Sequence, residues 1–212
     1  LNSKTFVYAV IAVTVIGIGY IAYIIGTIYK ENSAPSYSLA YYSRKGESKE
    51  PYTVPDFQFT DQNNQPVTLA QFKNRIWVTD FFFTTCQGIC PVMKTNMKQV
   101  LDAFKGNERV KFLSHTVQPE YDSVPVLKAF SRQYGDNDGQ WYFVTGDKKA
   151  LYDQARNAYF IAEPTKASIE EDFVHSQLFA LIDQQGKIRG YYDGTDSSEI
   201  RKLISDIKFL DR

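Results

Sequence analysis

Charged residues vanish from Thr5 to Tyr29 and return at Lys30, so the chain opens with an apolar run (FVYAVIAVTVIGIGYIAYIIGTI) bracketed by Lys4 and Lys30. Such a run is long enough to cross a hydrocarbon core of about 30 Å as a helix. It also exceeds the ~7–15-residue apolar core of a secretory signal. Tyr and Lys follow it, not the small residues of a cleavage site. The pattern predicts a retained transmembrane helix over 5–29. Residues 30–50 are polar, rich in Ser and Tyr and without an apolar period, as expected of a linker near the membrane interface. One folded domain is expected over 51–212.

Within that domain the period of the apolar positions keeps changing. Asp56 to Phe59 and Pro66 to Thr68 flank the turn residues Asp61-Gln62-Asn63-Asn64, predicting a small hairpin. Arg75 to Phe83 (RIWVTDFFF) is an almost unbroken β-branched and aromatic run, the mark of a strand buried on both faces. From Pro91 to Phe104 the period becomes helical, with Met93, Met97, Val100, Leu101 and Phe104 on one stripe and proline in the first turn. Strands are then expected at Val110 to Val117 and Trp141 to Thr145, and helices at Ser123 to Tyr134 and Lys148 to Ala158. Phe179 to Asp183 and Ile188 to Tyr192 form a second hairpin around Gln184-Gln185-Gly186-Lys187. A helix from Ser197 to Phe209, capped by Asp196 or Ser197, closes the chain. This alternation predicts an α/β fold.

Charge narrows the function classes. With 24 basic and 24 acidic residues and no dense basic cluster after the anchor, nucleic acid is not an expected partner. The two cysteines, Cys86 and Cys90, are too few for a disulfide scaffold and have just three residues between them. Their segment, Cys86-Gln87-Gly88-Ile89-Cys90-Pro91, runs from a buried strand into a helix N-terminus, where unpaired N–H groups and the helix dipole favour a thiolate. At i and i+4 on one face they would sit about 6 Å apart, close enough to bridge or to grip one metal ion. Both chemistries remain open at this point. Asp80 is an acid inside an apolar strand, where burial penalises a free carboxylate unless it is paired. It is a candidate proton acceptor for the cysteines, or else a hydrogen-bonded strand residue. His175 precedes a strand far downstream, so only the fold can bring it to the cysteines. His115 is expected to be a strand residue with a local hydrogen bond, and Met93 and Met97 to be core.

Four segments together resemble the Sco/SenC family of copper-binding assembly factors for cytochrome oxidase: DFFFTTCQGICP (Asp80 to Pro91), VQPEYDS (Val117 to Ser123), FVHSQLFALIDQQGK (Phe173 to Lys187) and YYDGTDSSEI (Tyr191 to Ile200). The resemblance spans the chain from the anchor to the last helix. It implies a thioredoxin-like α/β domain with an added hairpin, and a copper site made by Cys86, Cys90 and His175. Two thiolates and an imidazole suit three-coordinate Cu(I), and a further water or carboxylate would complete Cu(II). A closed zinc site would want a fourth protein ligand. Asp80, six residues before Cys86, also resembles the buried Asp that precedes the active-site cysteines of thioredoxins. The chain departs from the family in having Gln87-Gly88 where Pro-Asp is common, and Gln118-Pro119-Glu120 where Asp-Pro-Glu is common.

The implied partners are a copper-containing oxidase subunit, other copper carriers and thiol reductants. Lys4 against Lys30, Arg44 and Lys45 would by itself place the domain in the cytoplasm. Large domains cross membranes largely regardless of such counts, and the resemblance implies an outward-facing domain on the bacterial inner membrane, in the periplasm. A metallochaperone and a thiol:disulfide reductase are the two functions to be separated, with a permanent accessory subunit of a larger complex as a third.

Overall fold

The computed structural model describes residues 4, 14–25, 52–135, 139–162 and 176–212. The linker over 30–50, most of the expected anchor and His175 lie outside them. Residues 1–38 and 39–212 form separate compact units. In the first, residues 14–25 are helical, with Val15, Ile16, Ile18, Ile21 and Ile25 all more than half exposed. No helix among the described residues is long and apolar enough to cross a membrane.

The second unit is built on one seven-stranded mixed sheet: β1 (Gln58–Asp61), β2 (Pro66–Thr68), β3 (Ile76–Phe82), β4 (Val110–Thr116), β5 (Trp141–Thr145), β6 (Leu178–Ile182) and β7 (Ile188–Asp193). The order across it is β2-β1-β5-β4-β3-β6-β7. β3, β4 and β5 run parallel, with Ile76 level with Val110 and Phe112 level with Trp141. Parallel neighbours need a long crossover, which α1 (Cys90–Ala103) supplies between β3 and β4 and α2 (Val124–Ser131) between β4 and β5. Helices α3 (Lys148–Asp153) and α4 (Ser197–Leu210) complete the layers.

Seven buried residues in a row mark β3 as an interior strand, covered on both faces. Successive side chains leave a strand on opposite faces, so Ile76, Val78 and Phe82 join one core with Met93, Met97, Val100 and Leu101 of α1 and Leu203 and Ile207 of α4. Trp77 and Phe81 join the other core, with Leu113, Tyr152 and Tyr159. Met93 and Met97 are 1% and 0% exposed, core residues as their helical spacing predicts.

Both hairpins form, and both turn on an aspartate. Asp61 Oδ1 accepts from the N–H groups of Asn63 and Gln65, and Asp183 Oδ1 from those of Gln185 and Lys187. Asp196 caps α4 through the Ser198 N–H. The first strand starts two residues later than the apolar pattern suggests, because pairing with Pro66–Thr68 begins only at Gln58 and pairing with β5 only at Thr60. The two middle helices also change form. After Ser131 the chain tightens to a 3-10 turn over Arg132–Tyr134. After Asp153 it widens to a π turn over Gln154–Ala158, where the Tyr159 N–H reaches the Gln154 carbonyl. Tyr152, Ala155 and Tyr159 all face the core.

Candidate metal and redox site

β3 ends at Phe82, and the chain then loops over Thr84 to Ile89 before α1 starts at Cys90. Asp122, fully buried in the loop after β4, holds that loop in place. Its carboxylate accepts from the Thr84 N–H at 3.2 Å, from the Thr84 hydroxyl and from the Thr116 hydroxyl. Thr85 donates to Gln118 Oε1 at 3.2 Å. The segment Val117 to Ser123, singled out in the sequence only as a family motif, is therefore the clamp on the cysteine loop. A buried Asp beside a Thr-Thr pair in a separate segment gave no local signal of this.

Both cysteines are free thiols, Cys86 partly exposed and Cys90 buried. Pro91 takes the first turn of α1, and no side chain caps the helix at Ile89. The two thiols are close enough to shift one another's acidity. Their environments differ in sign. Burial alone would raise the Cys86 thiol, but hydrogen bonds from the Cys90 thiol and from the N–H groups of Cys90, Gly88 and Ile89 outweigh it and hold Cys86 below its ordinary value. Burial pushes Cys90 up to about 12, helped by its bond to Cys86 and opposed by Lys94. The exposed sulfur is thus the readier thiolate and the buried one its latent partner.

Lys94 is the residue that sequence reading missed. It lies four positions after Cys90 on the buried stripe of α1 and has no exposed surface. Its ammonium donates to Asp80 Oδ2 at 2.6 Å and to Ser114 Oγ at 2.8 Å, and lies 4.1 Å over the Phe82 ring. Ser114 in turn donates to Asp80 Oδ1 and accepts from Trp141 Nε1. Burial lowers Lys94 below its ordinary value while Asp80 opposes the shift. Asp80 is therefore not a lone acid at a strand end: it is one half of a buried ion pair behind the cysteines. The available signal was one acid and one base, each alone among apolar neighbours on consecutive elements.

His175 lies outside the described residues. Those that follow it are informative. β6 runs antiparallel to β3, with Ala180 level with Thr79 and Ile182 level with Trp77, so β6 starts at the end of the sheet where β3 delivers the cysteines. Asn96 of α1 donates to the Gly194 carbonyl, and the Gly194 N–H to Gln177 O, tying that entry to the cysteine helix. Among the described residues no group of three His, Cys, Asp or Glu converges to hold a metal. His115 does not belong to the site: it lies buried in β4 with Nδ1 3.2 Å from Thr79 Oγ1, the local bond expected of it.

The chain is similar to the SCO1 protein homolog of Bacillus subtilis, 32% identical over 158 residues that make up 74% of this chain and 82% of the relative. Among solved structures it is similar to BsSco, described as a member of the Sco family of cytochrome c oxidase assembly proteins with a disulfide switch (31% identity, 75% of this chain and 93% of that one, TM-score 0.63). The same fold occurs in ScoI of Bradyrhizobium japonicum, solved with copper bound (24% identity, 75% and 99% covered, TM-score 0.59). The family model described as SCO1/SenC matches residues 45–210, and the chain, with its clamped pair of free thiols at the start of α1, belongs to that family.

Proposed function

We propose that this protein takes copper on Cys86, Cys90 and His175 and delivers it to a copper centre of a cytochrome oxidase, from a domain anchored by residues 5–29 and facing the periplasm. The observation that carries the reading is the thiol pair: two free sulfurs at a helix N-terminus, close enough to shift one another's acidity, with no third donor among the described residues. Two soft thiolates select a soft ion such as Cu(I), and a neutral imidazole completes three-coordination without adding charge. Copper is cargo here, so the site must release it as well as hold it. Partial exposure of Cys86 suits that task. Support for docking comes from the surface: Ile89, Val92, Tyr121 and Val126 of the second unit are large apolar side chains exposed at 38–65%. They sit on the segments that frame the cysteine loop.

Anaerobic Cu(I) titration with a competing chelator tests the ligand set. The parent should bind one equivalent, with two sulfurs and one nitrogen by X-ray absorption. His175→Ala should weaken binding at least about tenfold, since loss of an outer partner of a ligand already costs that much. Unchanged affinity and coordination in that variant would remove His175 from the site.

One observation favours a second reading, thiol:disulfide exchange that keeps a partner's metal-site cysteines reduced. The unequal thiols suit it: Cys86 attacks, Cys90 resolves the mixed disulfide, and Asp80 is the nearby proton acceptor. This reading does not need His175. If His175→Ala loses copper yet still supports oxidase assembly, exchange replaces delivery as the physiological role.

A further inference from the structure

The cysteines lie at one end of the sheet, and basic side chains gather at the other. β3 and β4 start together at that second end, where the Ile76 N–H donates to the Arg109 carbonyl. The turn between β6 and β7 is there too, since β6 runs antiparallel to β3. So is the end of α4, where Asn107 donates to Asp211 and Gln184 to the Leu210 carbonyl. These segments bring Lys73, Arg75, Lys105, Arg109, Lys208 and Arg212 to one end of the domain, all exposed except the half-buried Arg75. Among the described acids of this end, Asp102, Asp183 and Asp211 are already paired, with Lys98, Arg189 and Arg109. Glu108 is the remaining exposed carboxylate there.

Helix dipoles explain only part of this cluster. Cations complement the negative end of a helix, which accounts for Lys105 after α1 and for Lys208 and Arg212 at the end of α4. Lys73 and Arg75 instead lie between a single 3-10 turn, Leu69–Phe72, and the start of a strand, and strands carry little net dipole. Beside these two the surface opens into a cavity of about 240 Å³ lined by Val54, Leu69, Phe72 and Trp77, with the exposed Lys73 and Gln185 also in its wall. An apolar hollow next to basic side chains matches the boundary between phosphate headgroups and acyl chains. The point where the chain enters the domain favours a lipid surface over an acidic protein. Thr53 and Val54 line the same cavity, and the Val54 N–H donates to the Gly186 carbonyl in the β6–β7 turn. A membrane tether attached here keeps this end at high effective concentration near the bilayer.

We propose that this end of the domain docks on an anionic phospholipid surface, which leaves the cysteine loop at the far end of the sheet open to partners. The proposal rests on the membrane-anchored reading above. The full chain in lipid nanodiscs tests it, with discs of phosphatidylcholine alone set against discs that also contain phosphatidylglycerol. Both are treated with a neutral amine-acylating reagent and the peptides read by mass spectrometry. In the anionic discs Lys73, Lys105 and Lys208 should react about fivefold more slowly, the weight of one basic side chain near such a surface. Lys149, exposed after the end of β5 on the cysteine side, should react equally in both. High salt should abolish the difference. Equal labelling of Lys73, Lys105 and Lys208 in the two kinds of disc overturns the docking face alone and leaves this end to an acidic protein. Equal slowing of Lys149 also overturns it, because the lipid charge would then act on every amine alike. A chain recovered outside the discs overturns the anchor and this proposal together.

Discussion

His115 shows how far a single residue type misleads when it is read alone. A histidine beside a cysteine-bearing strand suggests a ligand, yet its ring is enclosed by Phe57, Phe59, Phe81 and Tyr159 and its Nδ1 is committed to Thr79. Burial pushes the imidazole down to about 3, opposed by the Asp80 backbone and reinforced by the Lys94 ammonium. The stability consequence has a definite sign. His115 takes up a proton near 6.5 when the chain is unfolded but not when it is folded, so its contribution is complete above pH 6.5 and is lost as pH falls toward 3. Between those values the unfolded state binds one extra proton, a slope of about 1.4 kcal/mol per pH unit. We predict that His115→Asn is less stable at pH 7 but lacks this increment, so that parent and variant unfolding curves in urea converge as pH falls from 6.5 to 4. Parallel curves would show that His115 titrates alike in both states. Cys86 and Cys90 were legible because their chemistry follows from spacing and from the strand and helix around them. Their unequal acidity was not, because it depends on which sulfur the loop buries.

Apolar periodicity located every strand and α-helix of the domain that the described residues contain, since the run at Arg75 to Phe83 and the stripe from Met93 to Phe104 record burial directly, but not the 3-10 helix Leu69–Phe72. It did not reveal how elements are joined by polar atoms. The Asp80–Lys94 pair links β3 to α1, and Ser114 and Trp141 extend it to β4 and β5. Such a network is fully satisfied, but each ion lost a large solvation energy on burial. Removing one partner leaves an uncompensated charge, whereas replacing both is often neutral. Lys94→Met should therefore lose about 3–5 kcal/mol in chemical denaturation, and adding Asp80→Asn should recover most of it. If the two substitutions are additive, the pair is not a unit and β3 is held to α1 by apolar packing alone. The π turn after α3 was illegible because Leu151, Tyr152, Ala155, Ala158 and Tyr159 reach the core with the spacing of an ordinary helix.

At the scale of the whole molecule, the chain divides into an apolar start and a folded domain, and the proposed function carries an expectation of where the domain would work. A thiol held ready as thiolate, beside a second thiol that can close a disulfide on it, is useful where copper is loaded and where disulfides can form, the side of the membrane away from the cytoplasmic thiol pool. The apolar run from Thr5 to Tyr29 is long enough to hold the domain there, and the exposed apolar side chains of residues 14–25 suit a helix whose surroundings are not water. The lysine and arginine count across the run argues the other way, so orientation is the point at which sequence rules conflict and an experiment must decide. Alkaline carbonate should leave the full chain in the membrane pellet, and release into the supernatant would remove the anchor. Protease added to intact spheroplasts should then digest the domain while a cytoplasmic marker survives. Full protection of the domain would place Cys86 and Cys90 among cytoplasmic reductants, where a resting disulfide could not persist, and copper delivery to an outward-facing oxidase centre would fall with it.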